Sequence, residues 1–259
     1  MAMSHFLPSV ERQNQILQIL ARNQRVSVVE LCETFDISEA TARRDLETLA
    51  EQGKIQRVHG GAVMLKQAPP EAPLLQREQE QSFEKQRIGQ AAAALVEDGE
   101  TVFIASGTTT LEVARHLRTR QNLTVITNSL PVMNTLANLP GITLIGIGGL
   151  LRQSELSFIG HIAEQAIAEL RADKVILGVH ALSIEHGLTS DYLPETLTDR
   201  AILKIGRQVI LVADHTKFDS VSPAFVAPLS SIHHLVTDSA APPEFIEAVR
   251  QMGIAVTLA

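Results

Sequence analysis

The chain has 259 residues, 45% of them hydrophobic and 20% charged, with a formal net charge of −7. Those proportions exclude a disordered or fibrous chain and leave room for two cored domains. No apolar run approaches the roughly 18 residues needed to span a bilayer, and Met1 to Pro8 lack a basic segment followed by an apolar core, so the expectation is a cytoplasmic protein with no membrane contact.

The charge is unevenly spread. The first 66 residues carry as many acidic as basic groups, so the whole net charge of −7 belongs to the remainder. A neutral N-terminal part can bind DNA if its basic residues share a face, but pairing of two copies and contacts to bases must then supply much of the affinity. The single cysteine, Cys32, cannot form an internal disulfide and sits on an apolar helix face, which favours plain packing.

From Ser9 to Ala21 the positions Val10, Ile16, Leu17, Ile19 and Leu20 suit an amphipathic helix, with Arg12 and Gln13 on the wet side. Val26 starts a short extended link, Ser27 is an N-cap, and Val28 to Phe35 carries Val28, Leu31, Cys32 and Phe35 at helical spacing. After the turn Asp36-Ile37, Ser38 caps a third helix that runs to about Gln52 and stops at Gly53. Its apolar face is Ala42, Leu46 and Leu49, while Thr41, Arg43 and Arg44 point elsewhere. A helix N-terminus with two guanidinium groups within a turn suits phosphates and guanine edges. Three helices with a tight turn between the last two make a helix-turn-helix. Lys54 to Val58 and Ala62 to Leu65 then read as a hairpin wing around His59-Gly60-Gly61, with Arg57 and His59 placed to meet the sugar-phosphate backbone.

The residues Glu11-Arg12, Val26-Ser27-Val28, Glu30-Leu31, Phe35-Asp36-Ile37-Ser38, Thr41, Arg43-Arg44-Asp45-Leu46, Leu49, Gly53 and Arg57-Val58-His59-Gly60-Gly61-Ala62 resemble the N-terminal signature of the DeoR family of bacterial transcriptional regulators. Ala42 departs from it, since the family usually has an aliphatic such as Ile there. The resemblance implies a winged helix-turn-helix over residues 8–65 that binds a double-stranded DNA operator through Ser38, Thr41, Arg43, Arg44, Arg57 and His59.

Residues 66–82, with Pro69, Pro70 and Pro73 and no periodicity, read as a linker. From 83 to 259, strand-like runs (Thr101 to Ala105, Leu123 to Thr127, Ile142 to Ile147, Lys174 to Val179, Gln208 to Ala213, Ile232 to Thr237, Ile254 to Leu258) alternate with helical stretches. That alternation predicts an α/β domain with a mostly parallel, Rossmann-like sheet covered on both faces. Ligands of such sheets bind beyond the carboxyl ends of the strands. There lie Ser106-Gly107-Thr108-Thr109, whose glycine, hydroxyls and following helix N-terminus suit a phosphate, although Ser and Thr are also ordinary helix caps. Thr127-Asn128-Ser129 and the pair Gly148-Gly149 occupy equivalent ends.

This second region also resembles the DeoR family's effector-sensing domain, whose fold is similar to ribose-5-phosphate isomerase. Carried over, the resemblance implies that Ser106, Gly107, Thr108 and Thr109 hold a phosphate, that Thr127, Asn128, Ser129, Gly148 and Gly149 line the pocket, and that Glu195, Asp214 and Lys217 contact sugar hydroxyls or the phosphate. Two positions depart from the pattern: Ala105, often Asp, and Asp199, often Lys. The implied function is a DNA-binding regulator, a repressor of a carbohydrate or sugar-acid catabolic operon, controlled by a phosphorylated sugar or sugar-acid effector and acting as a homodimer or homotetramer.

A competing reading is a sugar-phosphate isomerase or deaminase with Asp191, Glu195 or Asp214 as base; a winged helix has no use in such an enzyme, so the chain is read as no enzyme and as needing no cofactor. His161, His180, His186 and His215 share no ligand spacing with one another or with Cys32, so no metal is expected. His180 and His215 lie near strand ends and are candidates to line the pocket.

Overall fold

The structure, a computed structural model, describes residues 7–23, 25–58, 60–64 and 66–259. Its contacts divide the chain into two compact units, Met1–Lys66 and Gln67–Ala259.

The first unit contains the helices Ser9–Asn23, Val28–Phe35 and Glu39–Glu51. Ser27 and Glu30 form a reciprocal capping box at the start of the second, satisfying two backbone donors at once. Asp36 then takes a left-handed conformation with φ 52° and returns its N–H to the Cys32 carbonyl, which makes the turn tight. The third helix is capped by Ser38, and Gly53, at φ 66°, follows its end. Ile16, Leu20, Leu31, Ala42, Leu46, Leu49, Ile55 and Ala62 form one buried cluster, so the helical apolar stripe and the wing share a core.

Three expectations change here. Val10 is 66% exposed, because the helix's buried stripe passes through Ile16 and Leu20 instead. The residues around Val26 are a strand, Arg25–Ser27, which pairs antiparallel with Gly61–Met64; that strand pairs in turn with Ile55–Val58, giving a three-stranded wing. Gly61 permits this pairing, since a Cβ there would lie 2.1 Å from the Val26 carbonyl oxygen. Arg12 is not on the wet side. It is 5% exposed, and its Nε and Nη2 donate to the Asp45 carboxylate at 2.5 and 3.2 Å. Gln13 adds a third hydrogen bond to the same carboxylate at 3.1 Å.

The second unit is built on one seven-stranded sheet, all parallel. Its order is Ala255–Leu258, His234–Thr237, Gly206–Val212, Ala172–Leu177, Thr101–Ile104, Leu123–Thr127, Ile142–Gly146. Alternate residues serve opposite faces. Phe103, Val175 and Leu211 pack on one face with Ile202 and Phe245, while Ile104, Ile176 and Ile210 pack on the other with Ile88, Val113 and Leu117. Burial on both faces explains the nearly unbroken apolar runs in the sequence.

The chain lays down three strands outward from Thr101–Ile104, returns to place Ala172–Leu177 on its other side, and proceeds the opposite way. The topological switch point is therefore between those two strands, where open α/β sheets hold their ligands. Two additions were not legible as sheet strands: a hairpin, Leu150–Arg152 with Ser157–Ile159, and an antiparallel sheet of Ala181–Ser183, Gly187–Ser190 and Ala224–Ala227.

The stretch expected to be a linker is folded into this unit. It contains the helix Leu74–Arg77, with both Leu74 and Arg77 buried, and the Leu74 N–H donates to the Ser154 carbonyl at 2.8 Å.

Candidate functional site

The DNA-facing candidates sit around the N-terminus of the helix Glu39–Glu51. Ser38 Oγ accepts from the Thr41 N–H at 3.3 Å and lies 2.9 Å from Thr41 Oγ1. Arg43 and Arg44 are exposed, held there because Ala42, Asp45 and Leu46 take the buried side. Arg43 pairs with Glu39 one turn earlier at 2.9 Å on the surface, an interaction worth only about 0.3–0.5 kcal/mol and readily exchanged for a phosphate. Arg57 Nη1 donates to the Arg43 carbonyl at 3.4 Å, so the wing brings a second arginine beside the helix. Arg44 has no ion-pair partner among the described residues. His59 lies outside the described residues.

In the second unit a cavity opens at the switch point. It is lined by Ser106, Gly107, Thr108 and Thr109 from the end of one central strand, by Leu177 to His180 from the end of the other, and by Glu195 and Lys217. Gly107 has φ 134° and ψ 159° and precedes the helix Thr108–His116, whose free N-terminal amides favour an anion. No side chain caps that helix, which leaves those amides available.

Six expected lining residues are elsewhere. Thr127 Oγ1 donates to the Ile104 carbonyl at 2.6 Å and accepts from the Ser129 N–H at 3.0 Å. Asn128 Nδ2 donates to the Phe158 carbonyl at 3.1 Å, and Ser129 caps the helix Leu130–Leu136. A Cβ at Gly149 would lie 2.8 Å from the Ile159 carbonyl oxygen, and Gly148 adjoins it. The hairpin Leu150–Ile159 pairs with this strand end at Ser129 and Asn128, whose backbone and Nδ2 bond Phe158, whereas Thr127 and Ser129 use their side-chain hydroxyls on the neighbouring strand and at the helix start. Asp214 is buried, and its Oδ1 caps the turn His215–Lys217 through the Thr216 N–H at 3.0 Å. His215 pairs with Asp238 at 2.9 Å and does not line the cavity.

Sequence reasoning missed other lining groups. Glu71 and Arg77 come from the supposed linker, Glu155 from the hairpin turn, and Asp199 lies one turn beyond Glu195. Arg77 bridges Glu71, at 2.7 Å, and Glu155. Arg152 pairs with Glu195, which also accepts from Ser157 Oγ at 2.8 Å, and its guanidinium stacks 4.3 Å over the Tyr192 ring. Arg77 carried no readable signal, because a single cation in a proline-rich segment is ordinary; its partners are 6 and 78 residues away.

Burial, opposed by the Arg77 guanidinium, pushes the Glu155 carboxyl up to about 7. Burial and the Glu195 charge raise Asp199 well above the usual carboxylate range. The Glu155 proton therefore stabilises the fold below the unfolded value near 4.5, and that contribution is lost as pH rises through about 7. Thermal melts from pH 4.5 to 8 should show Glu155→Gln losing less stability over this window than the parent chain; equal slopes would contradict the assignment.

The N-terminal residues 12–68 match the family model of the DeoR-like helix-turn-helix domain, and residues 80–239 match that of the DeoR C terminal sensor domain. The transcriptional repressor AccR of Agrobacterium fabrum is 37% identical over 235 residues, covering 90% of this chain and 91% of that protein. The glycerol-3-phosphate regulon repressor of Escherichia coli is 34% identical over 252 residues, covering 97% and 100%. Among solved structures, a ribose 5-phosphate isomerase from Methanocaldococcus jannaschii shares 16% identity and a TM-score of 0.39 over 52% of this chain and 53% of its own. The full-length relatives are regulators rather than enzymes, which removes the isomerase or deaminase reading. With both of its units matched and such relatives aligned almost end to end, the chain belongs to the DeoR family of transcriptional regulators.

Proposed function

We propose that this chain is a cytoplasmic repressor of a carbohydrate or sugar-acid catabolic operon, released from its operator by a phosphorylated effector. The observation that carries the reading is the Ser106–Thr109 turn at the switch point, with its uncapped helix N-terminus and with Lys217 lining the same cavity. An anion is the ligand such a turn suits. Glu71, Glu155, Glu195 and Asp199 around the rest of the cavity suit a body rich in hydroxyls, since a carboxyl group accepts from sugar hydroxyls whether or not it is ionised. One relative, the glycerol-3-phosphate regulon repressor, is named for a phosphorylated polyol.

The effector acts by linkage. It must bind the DNA-incompetent state better, typically by about 1 to 3 kcal/mol, and DNA weakens effector binding by the same amount. A two-fold operator supports a homodimer or homotetramer, which sedimentation of the free chain would establish.

The test is fluorescence anisotropy with the promoter DNA beside the chain's own gene, with phosphorylated sugars titrated in. Salt-sensitive binding reversed by one of them is the expected result, and no specific binding at any candidate operator would sink the proposal. In the same assay Arg44→Ala should cost about 1 to 3 kcal/mol and relax sequence preference, while Arg57→Ala should weaken all sequences alike and lower the salt slope by about one.

A further inference from the structure

The loop after the central strand Ala172–Leu177 carries His180, whose side chain is 6% exposed. Its Nε2 lies 2.9 Å from the Pro69 carbonyl oxygen. A carbonyl oxygen can only accept, so Nε2 bears a proton, and the tautomer protonated there alone presents a lone pair at Nδ1. That lone pair faces Asp191 Oδ1 at 3.5 Å and Glu71 Oε2 at 3.6 Å. Three acceptors thus converge within 4.8 Å of one another. His180 Nδ1 and Asp191 Oδ1 are both buried without a hydrogen-bond partner. Arg152 Nη2 stands 3.8 Å from Asp191 Oδ1 and Lys217 Nζ 3.7 Å from Glu71 Oε1, which offsets charge but is beyond hydrogen-bond reach, so His180 Nδ1 and Asp191 Oδ1 still forgo the hydrogen bonds that buried atoms require.

A directly coordinated metal ion supplies the missing partner. Ligand atoms about 2.1 Å from a tetrahedral ion stand roughly 3.4 Å apart, close to the 3.5 and 3.6 Å that separate His180 Nδ1 from the two carboxylate oxygens. The outer atoms of the three side chains are already fixed. Glu71 Oε1 is held by Arg77 at 2.7 Å, Asp191 Oδ2 by the Glu71 backbone N–H at 2.9 Å, and the ring by Pro69. Partners of this kind set the tautomer and orientation of metal ligands. One imidazole with two carboxylates suits Zn²⁺ or a similar transition metal better than Ca²⁺ or Mg²⁺, which prefer oxygen alone. A charged imidazolium is the other way to relieve the cluster, but 3.5–3.6 Å is longer than a hydrogen bond between these groups.

We propose that Glu71, His180 and Asp191 form a binding site for one divalent transition-metal ion of the zinc class at the rim of the sensor cavity. Three protein ligands leave further coordination to water or to an oxygen of the bound effector. The ion ties the segment that holds Glu71 to the loops carrying His180 and Asp191. The site stands on its own geometry and does not depend on the effector being a phosphorylated sugar.

The test uses the full-length chain stripped with chelator and titrated with Zn²⁺ alone by calorimetry, and with Co²⁺ by visible absorption. One equivalent should bind, with Co²⁺ showing the intense bands of a low-symmetry, near-tetrahedral site. His180→Gln and Asp191→Asn should each weaken binding at least about 10-fold, whereas His161→Gln, at an exposed position, should leave it unchanged. Should one variant fail to fold by circular dichroism, the other and the parent's Co²⁺ spectrum still decide. Stoichiometric binding absent below about 100 µM, or binding that neither substitution alters, would overturn the site; the first outcome would leave His180 as an imidazolium between two carboxylates.

Discussion

Arg12→Leu is expected to destabilise the N-terminal unit by about 3 to 5 kcal/mol, the usual cost of removing one partner from a buried ion pair. Arg12 and Asp45 are both about 5% exposed at their side chains, and the guanidinium supplies two of the three side-chain hydrogen bonds that hold the carboxylate. Leucine would leave a buried charge with Gln13 alone. A core of this size rarely supplies more than about 3 to 5 kcal/mol in total, so the unit should be largely unfolded at room temperature. Operator binding should vanish with it, because Asp45 lies on the helix that carries Arg43 and Arg44. The pair joins that helix to Ser9–Asn23 and so fixes how its arginines are presented. Circular dichroism and amide exchange should show the loss confined to the first unit, with the second unit's thermal transition retained. Replacing both partners with apolar residues should recover much of the stability. A loss under about 1 kcal/mol for the single variant would contradict the buried pair.

Gly107→Val is expected to abolish the effector response while leaving operator binding intact. At φ 134° and ψ 159° this backbone is open essentially to glycine alone. A Cβ would also stand 3.3 Å from Thr110 Oγ1, which donates to the Gly107 carbonyl at 2.9 Å. Relief of the strain re-aims the turn and moves the amides at the start of Thr108–His116 away from an anion. Each charge-assisted hydrogen bond lost costs about 1.5 to 3 kcal/mol, so binding of a phosphorylated sugar should fall at least about tenfold and its thermal shift should disappear. The operator complex should then resist effector concentrations that release the parent chain. A variant that responds to effector like the parent would remove Ser106–Thr109 from the site.

Much of this architecture was legible in the sequence because it depends on neighbours. Ala42, Leu46 and Leu49 share a face through helical spacing, Ser27 and Ser38 cap the helices that they precede, and seven apolar runs separated by helices and turns have few stable arrangements other than a covered parallel sheet. The Ser106–Thr109 turn was found by the same logic, since a strand end before a helix is a local pattern. The switch point was not, because strand order depends on which strands pair across the sheet.

What only the tertiary structure decided concerns charged and polar groups whose partners are far away in sequence. Arg12 resembled a solvated residue until Asp45, 33 positions on, was seen against it. Thr127, Asn128 and Ser129 resembled ligand donors, yet Thr127 bonds the Ile104 carbonyl of the neighbouring strand, Asn128 the Phe158 carbonyl of the hairpin, and Ser129 caps the helix that follows. Glu71 and Arg77 belonged to an apparent linker, yet both line the cavity, and Glu71 meets His180 and Asp191 there. Apolar periodicity reports the face that a segment buries, because burial acts on the segment as a whole. A charge can enter the interior only beside a specific partner, and the sequence around it does not name that partner.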